Sequence, residues 1–431
     1  RWSSWVPGIA RLRSLSRDDI GSDIVAGLAV TALLVPHGMA YAELARVPAV
    51  TGLYTTVLAL VAYALFGPSR LLMLGPDSSL SPMIAAAIVL VGADGDPAKA
   101  VAITGMLAVL SGVVCVVAGL TGLGVIADLL SKPVRIGYLN GLAIVMIVSQ
   151  LPKLFGFSVS GDTAVETGID FVEGLVDGLT NGTALAIGVV SLAVILGAGR
   201  ISPRAPGVLF AVVGATVAVA VFDLTDRDIA VVGKIPEGFP APDWPGIDLG
   251  DLPTLFGAAV GIAVMTLSDT TALSRSFAGL TDDEVDPNRE IIALGVANVS
   301  TGLFQGFPVS ASTTRTTVAV TSGGRSQLVG LVGAALVLAL VVVGGSLVEN
   351  LPSAALAAVV IAAGIYLLDL TELWWLLSVR RSEFFLSMAA TIGVVVFGVL
   401  EGIVIAIVVS LANFIRRVWR PYDAVLGRVE S

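Results

Sequence analysis

The stretch FQGFPVSASTTRTTVAV, residues 304–320, decides the fold of this chain. An apolar start interrupted by Pro308 leads into a cluster of hydroxyl side chains, and one arginine, Arg315, lies among them. An earlier stretch, LMLGPDSSLSP at 72–82, has the same order of apolar residues, then Pro76, then hydroxyls. Both patterns predict an extended, proline-bounded segment that becomes a short helix. The pair therefore indicates an internal repeat with an offset of 232 residues.

The rest of the chain has the composition of a polytopic membrane protein. Of its 431 residues, 56% are hydrophobic and 13% are charged, whereas about 25% of a soluble domain is charged. Mean hydropathy is +0.94. Apolar runs near the length that crosses about 30 Å of hydrocarbon recur along the chain. Fourteen spans are predicted, at 24–45, 50–66, 71–91, 98–120, 133–151, 182–199, 206–222, 252–275, 289–305, 307–321, 327–346, 353–368, 382–398 and 400–416.

The distribution of basic residues supports this count. With the N-terminus inside, 18 of the 24 lysines and arginines fall in inside loops, 5 fall in outside loops, and Arg315 is left in the membrane. Because inside loops of membrane proteins carry an excess of Lys and Arg, this bias predicts a plasma (inner) membrane protein with both termini cytoplasmic.

Two sets of seven spans make the second half inverted relative to the first, which is how many secondary transporters are built. The predicted organisation is an all-α fold with half-helices in spans 3 and 10. Its parts are a cytoplasmic segment at 1–23, a first repeat at 24–222, an extracellular linker at 223–251, a second repeat at 252–416 and a cytoplasmic tail at 417–431.

Several classes of function lack the residues they need. Cys115 is the one cysteine and His37 the one histidine, so a metal site built on several Cys and His is excluded. Motifs for phosphoryl transfer, serine hydrolysis and zinc proteolysis are absent from the sequence. We therefore expect neither an enzyme nor a cofactor, and no nucleic-acid partner.

The two irregular segments predict an anion site. The N-terminus of a helix carries unpaired N–H groups and a partial positive charge, so two half-helices that start near mid-membrane can bind an anion between them. Ser78 and Ser79 in the first segment, and Ser310 and Ser312 in the second, are placed to cap these helices or to contact ligand oxygens.

Charged residues inside the spans have alternative interpretations. Placing Arg315 at the bilayer centre costs about 3 kcal/mol on insertion scales, so it supplies positive potential to an anion or forms a structural ion pair with Asp269 or Asp77. Asp269, in the middle of span 8, is either a counter-ion of Arg315 or a coupling-ion site or gate, since a carboxyl in low dielectric can carry a proton. His37, at a break predicted at 36–38 in span 1, either packs against an exposed carbonyl or donates to the anion and carries protons.

The chain resembles the SulP family, which comprises sulfate permeases and prestin-related anion transporters. The resemblance rests on the Asp269 segment and on DIVAGLAVTALLVPHGMAYAELARVPAVTGLY at 23–54, YALFGPSRLLMLGPDSSLSPMIAAA at 63–87 and GFPVSASTTRTTVAVTSGGRSQLVG at 306–330. It implies a core domain of spans 1–4 and 8–11 and a gate domain of spans 5–7 and 12–14. It also implies a homodimer and a cytoplasmic STAS domain that would begin at the tail.

The resemblance implies a site between the half-helices. Substrate contacts are expected from His37, Ser78, Ser79, Leu80, Ser312, Thr313, Thr314 and Arg315. Coupling to protons is expected through Asp269 or His37, and Thr270 beside Asp269 could instead help to coordinate Na⁺. His37 stands where the family usually has Gln, so the pH response of this site can differ from that of relatives.

The predicted function is secondary-active transport of small oxyanions, with sulfate first, by an elevator-type movement coupled to protons. One alternative is a sodium- or proton-coupled transporter of bicarbonate or a C4-dicarboxylate, and another is a channel-like anion conductor. A nucleobase permease on the same fold is disfavoured by Arg315.

Overall fold

The computed structural model describes residues 7–13, 15–93, 95–122, 132–159, 161, 163–201, 206–236, 238–281 and 286–419. Within these ranges the chain is mainly helical, as predicted. The α-helices are α1 (Pro7–Arg13), α2 (Arg17–Leu44), α3 (Ala49–Phe66), α4 (Ser81–Leu90), α5 (Pro97–Leu120), α6 (Lys132–Phe155), α7 (Ala164–Val176), α8 (Gly182–Ile201), α9 (Gly207–Val221), α10 (Leu252–Thr281), α11 (Pro287–Leu303), α12 (Thr313–Thr321), α13 (Leu328–Val343), α14 (Gly345–Val348), α15 (Ser353–Leu367), α16 (Leu370–Val379), α17 (Arg381–Phe397) and α18 (Val399–Trp419).

A helix occupies each of the fourteen predicted segments, but the helices differ in length. Among the described residues, 7 helical stretches are long and apolar enough to cross a membrane. They are Asp19–Leu44, Ala49–Phe66, Pro97–Leu120, Lys132–Phe155, Gly182–Ile201, Leu252–Gly279 and Ser353–Val379. Four further apolar stretches of the described chain are shorter, namely Ser81–Leu90, Gly207–Val221, Leu328–Val343 and Val399–Ala412, so the number of crossings stays a prediction. Helix α7 was not predicted; it lies in the acidic segment expected to be a loop, and Thr163 and Glu166 form a capping box at its start.

Helix α2 corrects one expectation. The break predicted at 36–38 is absent, because α2 continues for 28 residues with Pro36 inside it, a length of about 42 Å. Pro36 cannot donate to the carbonyl of Ala32, but the surrounding packing keeps the helix intact. Gly38 contacts Gly52 of α3 so closely that a Cβ on Gly52 would lie 1.8 Å from the Gly38 oxygen. Tertiary packing therefore outweighs the local signal of the proline.

Glycines also set the packing of α5 on α11. A Cβ at Gly105 would lie 2.9 Å from the Gly302 oxygen, and one at Gly112 would lie 2.6 Å from the Gly295 oxygen. These pairs run in opposite chain directions, so the two helices are antiparallel and their backbones touch. Small residues at such positions are the usual means by which membrane helices approach closely.

Two short strands join the irregular segments. Strand β1 (Leu74–Gly75) pairs antiparallel with β2 (Ser310–Ala311), with Leu74 opposite Ala311 and Gly75 opposite Ser310. Helix α4 follows the first strand after a short loop, and α12 follows the second strand almost at once. The two half-helices of the predicted repeat are therefore held together by main-chain pairing at their starts.

Side chains satisfy the remaining polar backbone of these segments, as hydrocarbon surroundings require. Asn298 of α11 accepts from the Val309 N–H at 2.9 Å and donates to the Val309 carbonyl at 3.2 Å. The Met73 N–H donates to Thr316 Oγ1 at 3.1 Å, and the Met73 carbonyl accepts from Ser312 N–H at 3.0 Å. The extended segments are thus fixed scaffolds for the site that adjoins them.

Candidate functional site

A cavity of about 1160 Å³, the central cavity, lies beside the β1–β2 pair. One wall, the polar wall, contains the polar side chains of α2, the loop before α4, α10 and the start of α12, although α2 also contributes Val25, Leu28 and Leu33. The other wall comes from α6, α8, α9 and α15 and is largely apolar, with Ile195, Val208, Val359 and Ala362 among its residues. A concave site with a few convergent polar groups on one side is typical of a small-molecule binding site.

Seven of the predicted site residues line the central cavity. They are His37, Ser78, Ser79, Asp269, Ser312, Thr313 and Thr314. The other three do not reach it. Leu80 and Thr270 are each 0% exposed and Arg315 is 1% exposed, and Thr270 uses its hydroxyl to accept from Ala311 N–H at 3.3 Å. Thr270 thus supports β2 from the side away from the cavity.

Ser79 connects two carboxylates in the polar wall. Its N–H and hydroxyl lie 2.9 and 2.7 Å from Asp77 Oδ1, and its Oγ also lies 3.3 Å from Asp269 Oδ2. A hydroxyl has a single hydrogen, so it can donate to only one of the two carboxylates at a time. The other carboxylate is then left beside a negatively charged neighbour without that hydrogen bond.

The expected caps differ between the two half-helices. At α4 the residue before the helix is Leu80, and no side chain caps the first turn, so Ser78 and Ser79 are not its caps. The reason is that Ser79 is engaged by Asp77 instead. At α12, Ser312 is the N-cap, and its Oγ accepts from the Arg315 N–H at 3.5 Å. Ser310 lies in β2, and its buried hydroxyl has no hydrogen-bond partner within the described ranges.

Arg315 is buried and does not line the central cavity, although it belongs to the first turn of α12. Its guanidinium lies against Gly75, where an added Cβ would be 2.9 Å from Nη1. None of its three side-chain nitrogens has a hydrogen-bond partner among the described residues, so the ion pair considered with Asp269 or Asp77 is not formed. The buried charge therefore acts on the cavity through space rather than by contact.

His37 and Tyr41 occupy one face of α2. Their rings are stacked, with centroids 5.4 Å apart and planes 8° from parallel. Both side chains line the central cavity, although His37 is 8% exposed. Because the rings lie one helical turn apart and are stacked, they form one continuous part of the cavity lining.

Sequence reasoning missed two charged residues of the central cavity. Asp77 was considered only as a partner of Arg315, yet it lines the cavity and binds Ser79. Arg135, in the first turn of α6, is the one arginine or lysine lining the central cavity within the described part of the chain. The proline–hydroxyl motif could have indicated Asp77, whereas Arg135 lies on a distant helix and carries no motif.

Charged contacts join the C-terminal end of α2 to its neighbours. A smaller cavity of about 410 Å³, the end cavity, adjoins the last turn of α2 and the last turns of α6. Across it Lys153 Nζ of α6 lies 3.4 Å from Glu43 Oε2 of α2, and Arg46 Nη2 donates to the Gly161 carbonyl at 3.4 Å. The charged contacts thus lie at the C-terminal ends of α2 and α6, whereas the central cavity reaches the first two turns of α6 and runs along α2 from Val25 to Tyr41.

Comparison with known proteins gives a consistent result. The profile of the Sulfate permease family matches residues 20–390. A probable sulfate transporter of Mycobacterium tuberculosis is 40% identical over 427 residues, which is 99% of this chain and 76% of that protein. Human solute carrier family 26 member 6 is 31% identical over 99% of this chain and 58% of that protein.

Solved structures share the fold at lower identity. The murine solute carrier 26 family member A9 anion transporter, in its inward-facing state, aligns with a TM-score of 0.88 at 23% identity, covering 96% of this chain and 71% of that one. The transmembrane domain of the cyanobacterium bicarbonate transporter BicA aligns with a TM-score of 0.79 at 23% identity, over 92% of this chain and 98% of that domain. The family is one of transporters and not of enzymes. This chain, an integral membrane protein with a polytopic helical fold, therefore belongs to the sulfate permease family of anion transporters.

Proposed function

We propose that this protein is a secondary-active transporter of small oxyanions, with sulfate as the first substrate to test. The observation that carries the proposal is the central cavity, which adjoins a capped half-helix, exposed hydroxyls and two arginines. The 40% identity to a probable sulfate transporter supports the choice of sulfate. Bicarbonate is the second candidate, because the fold is shared with a bicarbonate transporter.

The anion would bind at the start of α12. Thr313 and Thr314 are exposed at the cavity and offer hydroxyl donors. The positive end of the helix and the buried charge of Arg315 would favour an anion there. Arg135 on the opposite wall would contact the anion directly and close the site from the α6 side.

Coupling would use Asp269, one of the two carboxylates that Ser79 connects. A proton on Asp269 removes one negative charge beside the anion, so binding of the anion and of the proton would be mutually favourable. A sodium ion requires several oxygen ligands, and the Thr270 hydroxyl, expected to supply one, lies outside the cavity and bonds to β2. This arrangement favours protons over sodium.

Alternating access would be an elevator-type movement of the core helices against α6, α8, α9 and α15. The central cavity is lined by the first two turns of α6 and by α2 from Val25 to Tyr41, and the end cavity adjoins the C-terminal ends of both helices. Transport would require the Glu43–Lys153 contact to open. The inverted repeat, the cytoplasmic termini and the homodimer belong to the same proposal.

Sulfate uptake into proteoliposomes tests the proposal. We expect saturable uptake that rises when the outside is acidified, and an Asp269→Asn protein with little pH dependence. Competition by bicarbonate and by C4-dicarboxylates, with and without sodium, would rank the candidate substrates. Full pH dependence in Asp269→Asn would reject the coupling role of Asp269. Non-saturating anion current without counter-flux would instead identify a channel-like conductor.

A further inference from the structure

A third cavity lies outside the proposed transport site, at the end of the molecule where α2 begins. It has a volume of about 410 Å³ and is enclosed by α1, the loop between α3 and β1, and the turn before α13. Arg11, Arg70 and Arg325 line it, and Asp19 is its one carboxylate among the described residues. The lining carries a formal charge of +2, whereas the whole chain carries −9. We call it the arginine pocket.

The α1 side of the arginine pocket is fixed in place. Gly8 contacts the end of α3 so closely that an added Cβ would lie 1.8 Å from the Ala64 oxygen. Arg11 donates from Nη1 to the Pro68 carbonyl. The short helix α1 is therefore packed against α3, and its arginine is positioned at the pocket rather than free in solution.

The α13 side is fixed by a buried carboxylate. Asp23, which is 0% exposed, accepts from the Arg325 N–H at 2.6 Å and from the Ser326 N–H at 3.2 Å. These backbone donors are therefore already used, and a ligand in the pocket must be held by side chains. Arg325 Nη1 also lies 2.9 Å from Asp19 Oδ1, but its side chain is 60% exposed, and exposed ion pairs are weak enough for a stronger anion to displace.

The surrounding surface places the arginine pocket at the level of lipid headgroups. Asp19 lines the pocket, and on the same helix Ile20 and Ile24 expose 40% and 43% of their surfaces. Ile9 of α1 is also 41% exposed. Ile24 lies about 7 Å along α2 from Asp19, so exposed apolar side chains begin within one to two turns of the charged pocket. A basic pocket with an exposed apolar surface next to it is the arrangement expected at a membrane interface.

We infer that the arginine pocket binds a phosphate group, supplied by an anionic lipid of the surrounding membrane. Arginine presents several N–H donors in a planar fork that matches phosphate oxygens. Three arginines around one cavity can surround such a group, and the apolar surface beside it accommodates acyl chains. The site is separate from the central cavity, and the inference does not depend on which anion is transported.

The test uses the purified full chain in neutral detergent and three additives: dioctanoyl phosphatidylglycerol, dioctanoyl phosphatidylcholine and inorganic phosphate. The readout is the thermal unfolding midpoint, which rises with a ligand that binds the folded state. We expect phosphatidylglycerol to raise it and phosphatidylcholine not to. Arg70→Gln and Arg325→Gln should each weaken the apparent affinity about fivefold, the effect of one basic residue near a lipid surface.

Arg13→Gln is the matched control, because Arg13 belongs to α1, is exposed and does not line the pocket. It should leave the affinity unchanged. The unliganded midpoint of each variant reports folding, and Arg325→Gln retains the backbone N–H that Asp23 binds. An equal response to inorganic phosphate that is lost in the same two variants would support the phosphate site and assign it to soluble phosphate. Equal affinity in wild type, Arg70→Gln and Arg325→Gln, or equal weakening by Arg13→Gln, would overturn the inference.

Discussion

Removal of the Glu43–Lys153 contact should make the closed end of the protein open more often. Lys153 belongs to α6 and Glu43 to α2, so under the proposed movement the contact joins a gate helix to a core helix. The proposed perturbations are Glu43→Gln and Lys153→Gln, each of which removes one charge and retains a side chain of similar length. A double exchange, Glu43→Lys with Lys153→Glu, reverses the pair and keeps the net charge.

The expected effect follows from the geometry of the pair. Nζ and Oε2 are 3.4 Å apart, and the Lys153 and Glu43 side chains are 36% and 15% exposed. Exposed pairs contribute about 0.2–1 kcal/mol, and the partial burial of Glu43 places this pair near the upper value. A loss of about 1 kcal/mol changes an equilibrium about fivefold. The Arg46–Gly161 contact persists in the variants, so we expect this change and not a permanently open end.

The labelling rate of a cysteine introduced into the end cavity measures the fraction of molecules in which that end is open. Ser149 lines the end cavity, and the native Cys115 is fully buried, so a Ser149→Cys protein has little background. We expect each single variant to raise the rate of labelling by a membrane-impermeant thiol reagent about fivefold, and the exchange to restore it. Lys99→Gln, which removes a lysine outside the end cavity, is the control. An unchanged rate in both single variants, or an exchange that labels as fast as they do, would refute the reasoning.

Two further variants test the site and its scaffold. Arg135→Gln should raise the half-saturating anion concentration about tenfold, since a hydrogen bond to a charged group is lost. The control is Arg200→Gln, because Arg200 lies on α8 and outside the cavity lining; it should leave that concentration unchanged. An equal effect of both variants in a flux assay would contradict direct contact between Arg135 and the anion. Asn298→Leu should destabilise the protein by about 2 kcal/mol because the buried Val309 N–H loses its acceptor. Thermal unfolding measures this loss of stability. Ser300→Ala is the control, because the Ser300 hydroxyl bonds within its own helix, and equal unfolding midpoints for the two variants would contradict the prediction.

Local patterns predicted the irregular segments, and distant contacts decided how they are held. The order of proline, hydroxyls and helix is encoded within about a dozen residues, so the starts of α4 and α12 could be predicted from the sequence. The pairing of Gly75 with Ser310 joins residues far apart in the chain, and nothing in either segment alone specifies it. The same holds for Asn298, which belongs to another helix and makes hydrogen bonds to both the N–H and the carbonyl of Val309.

Local signals were misleading where packing opposed them. Pro36 predicted a break in span 1, but the contact between Gly38 and Gly52 keeps α2 continuous. The anion contact of Arg315, expected from its charge inside the membrane and from the family resemblance, stays a prediction, although its side chain is buried against Gly75. A helix turns about 100° per residue, so Thr313 and Thr314 can face the cavity while Arg315 is directed toward Gly75. The direction of a side chain depends on how the helix sits against its neighbours, which the sequence pattern does not contain.

The formal charges around the central cavity relate Arg135 and Arg315 to the proposed coupling of anion and proton. Among the described residues, the central cavity is lined by Asp77, Asp269 and Arg135, and the guanidinium of Arg315 is buried behind it. With both carboxylates ionised, these four groups have a net formal charge of zero. A sulfate dianion would then leave the low-dielectric site with an uncompensated double negative charge, which is costly. Protonation of Asp269 would remove one negative charge from the site. Under the proposed mechanism, one proton on Asp269 would therefore compensate a monovalent anion fully and a sulfate dianion only in part.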